Sequence, residues 1–244
     1  MTYIILAAGK GVRAKSEIVK IPKVLLRGAD GKSLLVNTLE KIEKYSDDEH
    51  VNIVTGFLSE KVQEEIMSFE ALHNRLSITH IKNEIYERGV LTSLFSGIKK
   101  LKDNTVILNG DTIYPANLFE ELNTVERSTL FVHPAKDIPD SIKVCTDGLT
   151  ITKVGKKLEN YDYISVGSFF VEKGHLPKLK KTISNLMDTE KIEKIIWHEL
   201  INYLIENGEE VHIKELLDGN TIEVDTIEDY RFFLEQQKNH KTSR

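Results

Sequence analysis

The sequence predicts an α/β fold, with a Rossmann-like, mostly parallel mixed sheet, helices on both faces and a small antiparallel layer added to it. Two observations support this class. Over residues 3–101, apolar segments of strand length alternate with segments whose apolar residues recur at helical spacing, which is typical of βαβ units. Over residues 128–171, four short strand-like segments are separated by turn residues, and this pattern indicates antiparallel strands.

Composition narrows the functional class. The 244 residues carry a formal net charge of −5, which argues against a general nucleic-acid binder, because such proteins gain affinity from a basic face. The single cysteine, Cys145, excludes an internal disulfide framework and fits a reducing compartment. No apolar stretch approaches membrane-spanning length. We therefore expect a cytoplasmic protein with no membrane span and no nucleic-acid partner, and a homo-oligomer is compatible with the composition.

The first predicted strand, residues 3–8, leads directly into a loop that contains Gly9 and Gly11. Glycines let backbone N–H groups approach an anion closely, and basic side chains neutralise a polyphosphate. The basic residues in and after this loop are Lys10, Arg13 and Lys23. Their spacing matches neither the P-loop, which ends in Gly-Lys-Ser/Thr, nor the dinucleotide fingerprint with its three spaced glycines. The loop therefore predicts a phosphate site of another kind.

Residues 6–13, Leu-Ala-Ala-Gly-Lys-Gly-Val-Arg, together with Pro22-Lys23, resemble the signature of the nucleotidyltransferases, or NDP-alcohol and NDP-sugar pyrophosphorylases. The resemblance implies one GT-A-like nucleotidyltransferase domain over 1–244. Residues 1–125 would form the nucleotide-binding half, and residues 126–244 the acceptor-binding half with a closing helix. The alternative is a glycine turn after a core strand, with its lysines in solvent.

The next elements complete the parallel part of the sheet. Residues 33–42 have helical spacing behind Ser33, which can cap the helix. Residues 50–56 indicate a strand, residues 60–69 a second helix and residues 76–81 a third strand. Ligands in such sheets bind beyond the carboxyl ends of the strands, where the glycine loop also lies.

Residues 83–94 lead into a helix predicted to run to about residue 101. In the resembled family the corresponding turn contacts the base and ribose of the nucleotide through small and hydroxylated residues, and Gly89, Thr92 and Ser93 occupy those places. The alternative is that Thr92 or Ser93 caps the helix. Both interpretations can hold, because a helix N-terminus also attracts anions.

A continuous apolar strand at residues 105–108 is followed by Gly110 and Asp111. This strand brings Asp111 to the same edge of the sheet as the opening loop, where a carboxylate suits Mg²⁺ because the ion takes oxygen ligands. The alternative is an ordinary Asn-Gly-Asp turn.

The antiparallel strands are predicted at residues 129–133, 141–145, 149–154 and 163–171, with a hairpin turn at residues 147–148. After the hairpin come Gly155-Lys156 and, at residues 165–170, the pattern small-Val-Gly-small-Phe-Phe. This arrangement is similar to that of the cytidylyltransferases acting on inositol phosphate and related small phosphorylated alcohols. By that resemblance Lys156 lies beside the acceptor phosphate and Gly167 lets the acceptor approach the strand. The alternative for Lys156 is an exposed lysine after a hairpin.

Helical spacing returns at residues 174–187 and 191–206, and the second stretch carries Trp197 and His198. A histidine beside a tryptophan on a mostly apolar helix is interpreted as a core or interface residue.

Residues 215–230 pass from a strand into the closing helix. The Val-Asp-Thr at residues 224–226 resembles the terminal motif of the family, which would make Asp225 the second metal ligand. Asp225 is also placed to cap the helix.

The reaction implied by the resemblance transfers a nucleotidyl group from a nucleoside triphosphate to a phosphate acceptor and releases pyrophosphate. Positioning and charge neutralisation suffice, because the acceptor phosphate is already ionised. The residues implied for catalysis are Arg13, Lys23 and Lys156. Those implied for nucleotide binding are Leu6, Ala7, Ala8, Gly9, Lys10, Gly11, Gly89, Thr92 and Ser93. Asp111 and Asp225 would hold Mg²⁺.

The tripeptide Glu-Lys-Pro, usual in members that act on hexose phosphates, does not occur, and we therefore favour CTP and a small alcohol phosphate. A polyol phosphate such as inositol phosphate ranks slightly above phosphocholine or aminoethylphosphonate. A quaternary ammonium needs an aromatic cage, to which Tyr86, Tyr161, Asp162, Tyr163 and an exposed Trp197 would contribute. The alternatives are a hexose-1-phosphate uridylyl- or thymidylyltransferase and a catalytically silent nucleotide-binding regulatory subunit.

Overall fold

The computed structural model describes residues 1–10, 21–46, 49–136, 138, 140–217 and 221–242. Gly11 and Arg13, two of the predicted site residues, lie outside the described residues.

Strands and helices alternate through the first half of the chain, as the sequence predicts. The strands are β1 (Thr2–Ala7), β2 (His50–Thr55), β3 (Ser77–Lys82), β4 (Thr105–Asn109), β5 (Thr112–Ile113), β6 (Thr129–Pro134), β7 (Lys143–Asp147), β8 (Thr150–Gly155), β9 (Tyr163–Val171), β10 (His212–Glu215) and β11 (Ile222–Glu223). The helices are α1 (Leu34–Tyr45), α2 (Ser59–Glu70), α3 (Val90–Ile98), α4 (Ala116–Leu122), α5 (Leu176–Met187), α6 (Leu200–Glu206) and α7 (Ile227–Thr242). The predicted α/β class is confirmed.

Within the described residues, nine strands form one mixed sheet in the order β3-β2-β1-β4-β9-β6-β10-β8-β7, and β5 pairs separately with β11. Strands β3, β2, β1 and β4 are parallel to one another. Successive side chains of a strand point to opposite faces, and accordingly Ile4 belongs to one buried apolar cluster and Ile5 to the other. The sheet is therefore covered by apolar side chains on both faces.

The antiparallel strands extend this same sheet instead of forming a layer of their own. Strand β9 is nine residues long, and its carboxyl-terminal part pairs antiparallel with β4 while β6 follows its other edge. The amino-terminal part of β9 pairs with β7. Strands β9, β6, β10, β8 and β7 thereby close into a circuit. One pairing in it, β6 with β10, is parallel.

The helix predicted at residues 191–206 is interrupted. Two 3₁₀ turns, Glu190–Glu193 and Trp197–Glu199, precede α6, and Ile196 between them is extended, with φ −81° and ψ 151°. The β-branched pair Ile195 and Ile196 favours extended backbone over helix, which explains the break. Among the described residues, none of the helices combines the length and apolar character needed to cross a bilayer.

The N-cap of α1, the helix between β1 and β2, can be tested by substitution. The Ser33 hydroxyl accepts a hydrogen bond from Val36 N at 3.1 Å, and Ser33 is fully buried. Replacing Ser33 with Ala removes this bond, and we expect the free energy of unfolding in urea to fall by about 1 kcal/mol. The control is Ser68→Ala on the exposed face of α2, where the hydroxyl donates back to Glu64 O and the change should stay within about 0.5 kcal/mol. Equal changes in the two variants would contradict the capping role.

Candidate active site

The glycine loop and Asp111 meet at one edge of the sheet. Strands β1 and β4 are parallel neighbours with Leu6 opposite Asn109, so the residues that follow both strands emerge side by side. Gly110 N donates to Leu6 O at 3.0 Å and fixes this junction. The residues that line the small cavity here, of about 60 Å³, are Leu6, Ala7, Gly9, Lys23, Val24 and Asp111. Ala8, which follows Ala7, is buried.

Two glycines of the site, Gly110 and Gly9, differ in the space around their α-carbons. A β-carbon on Gly110 would lie 2.6 Å from Leu6 O and 2.7 Å from Val24 Cγ1, so this position admits only glycine while β1 and β4 keep their places. A β-carbon on Gly9 would meet no atom of the described residues within 4 Å. Those residues therefore leave room for a ligand above Gly9.

Lys23 lies between the two predicted metal ligands. Its Nζ is 2.5 Å from Asp225 Oδ1 and 3.4 Å from Asp111 Oδ2, and its side chain is only 11% exposed. Partial burial favours the neutral amine, but the two carboxylates outweigh it and raise the pKa of Lys23. The lysine is thus a permanently charged group at the base of the cavity.

Asp225 is brought to the site by the carboxyl-terminal segment. Strand β11 pairs antiparallel with β5, directly after Asp111, and Val224 N donates to Asp111 O at 2.9 Å. The suggestion that Asp225 caps the closing helix is wrong. Thr226 caps α7, because its hydroxyl accepts from Asp229 N at 3.2 Å while the Asp229 carboxylate accepts from Thr226 N at 2.7 Å.

A third carboxylate, Glu223, joins the two aspartates and was missed by the sequence reasoning. One ligand oxygen from each of Asp111, Glu223 and Asp225 lies within 4.8 Å of the others. The signal was present in the sequence: Glu223 and Asp225 are two residues apart in an extended segment, and such residues share a face. The spacing Glu-Val-Asp could have been read as a pair of ligands.

The donor set of this cluster fits a divalent cation. Nearby protein atoms displace water from Glu223, and the charges of Asp111 and Asp225 repel its own, so the pKa of Glu223 is raised to about 7. Loss of water raises the pKa of Asp111 as well, although Lys23 opposes this effect. Crowded carboxylates that resist ionisation are stabilised by a hard cation, which prefers oxygen ligands.

Lys156 follows β8 and is half-buried. Its positive charge acts on both Glu223 and His198, because it opposes the rise in the pKa of the first and contributes to the lowered pKa of the second. Lys156 is therefore close enough to Glu223 and to His198 for its charge to act on both, and its half-buried side chain does not fit the alternative of an exposed lysine.

The turn before α3 brings Gly89, Thr92 and Ser93 together, but not as caps. Gly89 has φ +107° and directly precedes the helix. Thr92 and Ser93 lie inside the first turn, 1% and 3% exposed, and their hydroxyls accept from Asn83 Nδ2 at 2.9 and 3.0 Å. The alternative that Thr92 or Ser93 caps α3 is therefore wrong.

Lys10 connects the opening loop to this turn. Its ammonium forms an ion pair with Glu87 and lies 5.8 Å from the centre of the Tyr86 ring. The two predicted parts of the nucleotide site, which are about eighty residues apart in sequence, therefore face each other across the cleft.

Gly167 and the Trp197–His198 pair meet behind the end of β4. Gly167 has φ +76°, and a β-carbon on it would lie 2.7 Å from Asn109 Nδ2. The Oδ1 atom of Asn109 accepts from Trp197 Nε1 at 2.9 Å. Trp197 and His198 are 3% and 4% exposed, which confirms that His198 is buried.

At the carboxyl edge of the parallel part of the sheet, the structure thus brings together Gly9, a lysine between two aspartates and a cluster of three carboxylates. Residues 3–137 match the family model of the MobA-like NTP transferase domain. The chain belongs to this family of nucleotidyltransferase-type domains.

Two relatives are similar in sequence to this chain, one over nearly all of its length and one over part of it. Choline-phosphate cytidylyltransferase of Streptococcus pneumoniae (strain ATCC BAA-255 / R6) is 25% identical over 249 residues, which cover 98% of this chain and 99% of the relative. The bifunctional IPC transferase and DIPP synthase of Aquifex aeolicus (strain VF5) is 28% identical over 176 residues, which cover 70% of this chain and 39% of the relative. The chain spans half or less of the length of the bifunctional relatives that it matches.

Solved structures share the fold. The inositol-1-phosphate CTP transferase from T. maritima has a TM-score of 0.79 at 20% identity, and the match covers 95% of this chain and 93% of that one. A UDP-glucose pyrophosphorylase reaches the same TM-score of 0.79 at 12% identity, with 98% of each chain covered. Because these two proteins are named for different substrates, the fold alone does not select a substrate.

The two glycines yield a matched pair of variants. We expect Gly110→Ala to lower the free energy of unfolding by about 1–3 kcal/mol, because its β-carbon overlaps Leu6 O and Val24. Gly9→Ala, whose β-carbon meets no atom of the residues that the structure describes, should stay within about 0.5 kcal/mol of the wild-type protein. Urea unfolding of both variants measures the difference. An undisturbed Gly110→Ala protein would show that β1 and β4 can separate at this junction.

Proposed function

We propose that the chain is a cytidylyltransferase that transfers the CMP group of CTP to a small alcohol phosphate and releases pyrophosphate. The observation that supports this proposal most is the position of Lys23, whose ammonium contacts Asp111 and Asp225 beside the open space above Gly9. The choice of CTP is supported by the similarity to a choline-phosphate cytidylyltransferase over nearly all of both chains.

In the proposed reaction, an oxygen of the acceptor phosphate attacks the α-phosphorus of CTP. A new phosphorus–oxygen bond forms, the bond from the α-phosphorus to the bridging oxygen breaks, and pyrophosphate leaves with the electron pair. The acceptor phosphate is already ionised, so no protein group has to remove a proton. The protein must bring two anions together, and positive charge at the meeting point lowers that barrier.

Each basic residue would have its own role in this reaction. Lys23 would bridge the α-phosphate and the acceptor phosphate, and Lys156 would lie beside the acceptor phosphate. Lys10 would exchange its ion pair with Glu87 for the oxygens of the triphosphate. Arg13, which is assigned from the sequence alone, would stabilise the departing pyrophosphate with Lys10. Gly89, Thr92 and Ser93 would shape the site for the base and ribose.

Asp111, Asp225 and Glu223 would hold Mg²⁺, whose charge, when bound, neutralises phosphate oxygens. The assignment of Glu223 extends the predicted pair of ligands to three. Its support is the distance of 4.8 Å or less between the ligand oxygens.

Substrate choice is tested by pyrophosphate release with Mg²⁺ across CTP, UTP, dTTP, ATP and GTP. Each nucleotide is offered with inositol phosphate, glycerol phosphate, phosphocholine, aminoethylphosphonate and hexose-1-phosphates. We expect turnover with CTP and a small alcohol phosphate. Turnover confined to UTP or dTTP with a hexose phosphate would overturn the proposal, and an absence of turnover with every pair would favour a nucleotide-binding regulatory subunit.

Lys23→Ala tests the bridging role. Loss of the ammonium removes the charge between the two phosphates, and we expect kcat to fall by about 10²- to 10³-fold, the size typical of a lost transition-state donor. CTP binding, measured by calorimetry, should remain detectable because Lys10 and the glycine loop are unchanged. The control is Lys32→Ala, which removes a half-exposed lysine paired with Glu40 at 2.7 Å and should leave kcat intact. Near-normal turnover of Lys23→Ala would rule the bridging role out.

Glu223→Gln tests the third metal ligand. We expect chelation of divalent ions to abolish turnover, and the Mg²⁺ concentration for half-maximal rate to rise at least about tenfold in this variant, since loss of even an outer-shell partner has such an effect. The control, Glu228→Gln, replaces an exposed carboxylate at the start of α7. A Mg²⁺ dependence shared by both variants and the wild type would remove Glu223 from the metal site.

A further inference from the structure

His198 is a buried side chain with one ring nitrogen that lacks a partner among the described residues. It is 4% exposed and stacks on Trp197 with ring centres 3.5 Å apart and planes 22° apart. Its Nε2 is fully buried and has no hydrogen-bond partner within the described part of the chain. Buried polar atoms in native proteins are hydrogen-bonded in the large majority of cases, and each exception calls for an explanation. A bound ligand would supply the missing partner.

The surroundings place His198 on the acceptor side of the carboxylate cluster. Its stacking partner, Trp197, donates to Asn109 Oδ1 at 2.9 Å, and Asn109 ends the strand that leads to Asp111. Lys156, proposed to lie beside the acceptor phosphate, acts electrostatically on His198. Burial first, and then Lys156, lower the pKa of His198 to about 3. The ring is therefore neutral, with one nitrogen that donates and one that accepts.

Two of the aromatic rings that a cage for a quaternary ammonium would require, those of Trp197 and Tyr161, are already engaged by other groups. Trp197 is 3% exposed, and its ring stacks on His198 and on Phe169, whose centre is 6.3 Å away. The Lys143 ammonium lies 4.8 Å from the centre of the Tyr161 ring. A cation–π site needs an open ring face, so these two residues do not form a cage.

Tyr86 is engaged in the same way, since the Lys10 ammonium lies 5.8 Å from the centre of its ring. Asp162, the acidic residue expected beside such a cage, accepts hydrogen bonds from Thr146 N at 2.8 Å and from Thr146 Oγ1 at 3.2 Å. Lysine ammonium groups near these rings would also repel a cationic acceptor.

We infer that His198 is a specificity residue of the acceptor site, where its unpartnered ring nitrogen hydrogen-bonds a hydroxyl group of a polyol phosphate. This inference rests on the proposed function and names the class of its acceptor. A hydroxyl group donates and accepts, so it satisfies either tautomer of the ring. A trimethylammonium group does neither and leaves the nitrogen unpartnered, and a primary ammonium is repelled by Lys156.

The test compares His198→Phe with His198→Gln and a matched control. Phenylalanine keeps the stacking on Trp197 but removes the ring nitrogens, and we expect the KM for inositol phosphate to rise about tenfold, which corresponds to about 1.4 kcal/mol. The KM for CTP should change less than about twofold, a split that general damage to the fold would not produce. The melting temperature of His198→Phe should not fall, because an unpartnered buried nitrogen is removed. Glutamine, which retains a donor and an acceptor, should recover part of the KM.

The control is His73→Phe. His73 also stacks on an aromatic ring, that of Phe69, with centres 4.1 Å apart, but it follows α2 and pairs with Glu43 at 2.6 Å. Its KM for both substrates should match the wild type. An unchanged KM for inositol phosphate in His198→Phe, or a preference of the wild type for phosphocholine, would overturn the inference while leaving a cytidylyltransferase in place.

A binding measurement separates failure of the inference from failure of the proposed function. Ring ¹⁵N signals of His198, assigned by their loss in His198→Phe, are followed while inositol phosphate is added in the presence of an α,β-methylene analogue of CTP. We expect a shift of these signals in the wild type. A shift without any turnover would overturn the proposed reaction but support the contact, and constant signals would overturn the contact whether or not the enzyme turns over.

Discussion

The ammonium group of Lys23 joins three segments that are far apart in the chain. It contacts Asp111, which follows the strand next to β1, and Asp225, which is 202 residues away in sequence. Without it, three carboxylates would face one another across less than 5 Å, and their repulsion would oppose the pairing of β11 with β5. In the proposed reaction, this same positive charge would lie between the two phosphates as they approach each other. Under the proposed function, one side chain would therefore serve both stability and chemistry.

The backbone around this group is fixed by packing. Gly110 has no room for a β-carbon because Leu6 O lies where it would be, and Thr226, not Asp225, satisfies the N-terminus of α7. With these two features in place, one carboxylate oxygen of Asp111 and one of Asp225 lie beside the Lys23 ammonium. The site is accordingly preorganised, which is how a protein stabilises developing charge without rearrangement during the reaction.

Local patterns in the sequence predict the parallel half of the fold well. The strand-to-glycine junction, the Ser33 cap and the strand before Asp111 are each visible within a few residues, because each depends on near neighbours in the chain. A hairpin is confirmed at this place for the same reason, but its turn is formed by Gly148 and Leu149, one residue later than predicted, because Asp147 still pairs with Thr150. The extension of the sheet by β9 could not be predicted in this way, because it depends on pairing with β4, more than fifty residues earlier.

The same distinction between local patterns and long-range pairing applies to the candidate site. Lys23, Asp111 and Asp225 come together as the motifs imply, whereas Glu223 escaped notice because β11 is only two residues long and exists through its pairing with β5. The roles given to Lys10, Lys156 and the α3 turn stay predictions, as does the division into halves at residue 125. Gly11 and Arg13 also stay predictions, since they lie outside the described residues.

The contrast between the two sides of the site explains how one fold can serve different acceptors. On the nucleotide side, close contacts are made by backbone and glycine, so a substitution there disturbs the sheet itself. On the acceptor side, the surfaces are side chains carried by the turns around Trp197 and Lys156, which can change without altering strand pairing. The buried Nε2 of His198, which has no partner among the described residues, lowers the stability of the free protein, and a hydroxyl group of the inferred acceptor would offset this cost in the bound state. Acceptor specificity in this chain is therefore expected to depend on a few buried polar groups, while the phosphate chemistry is common to the fold.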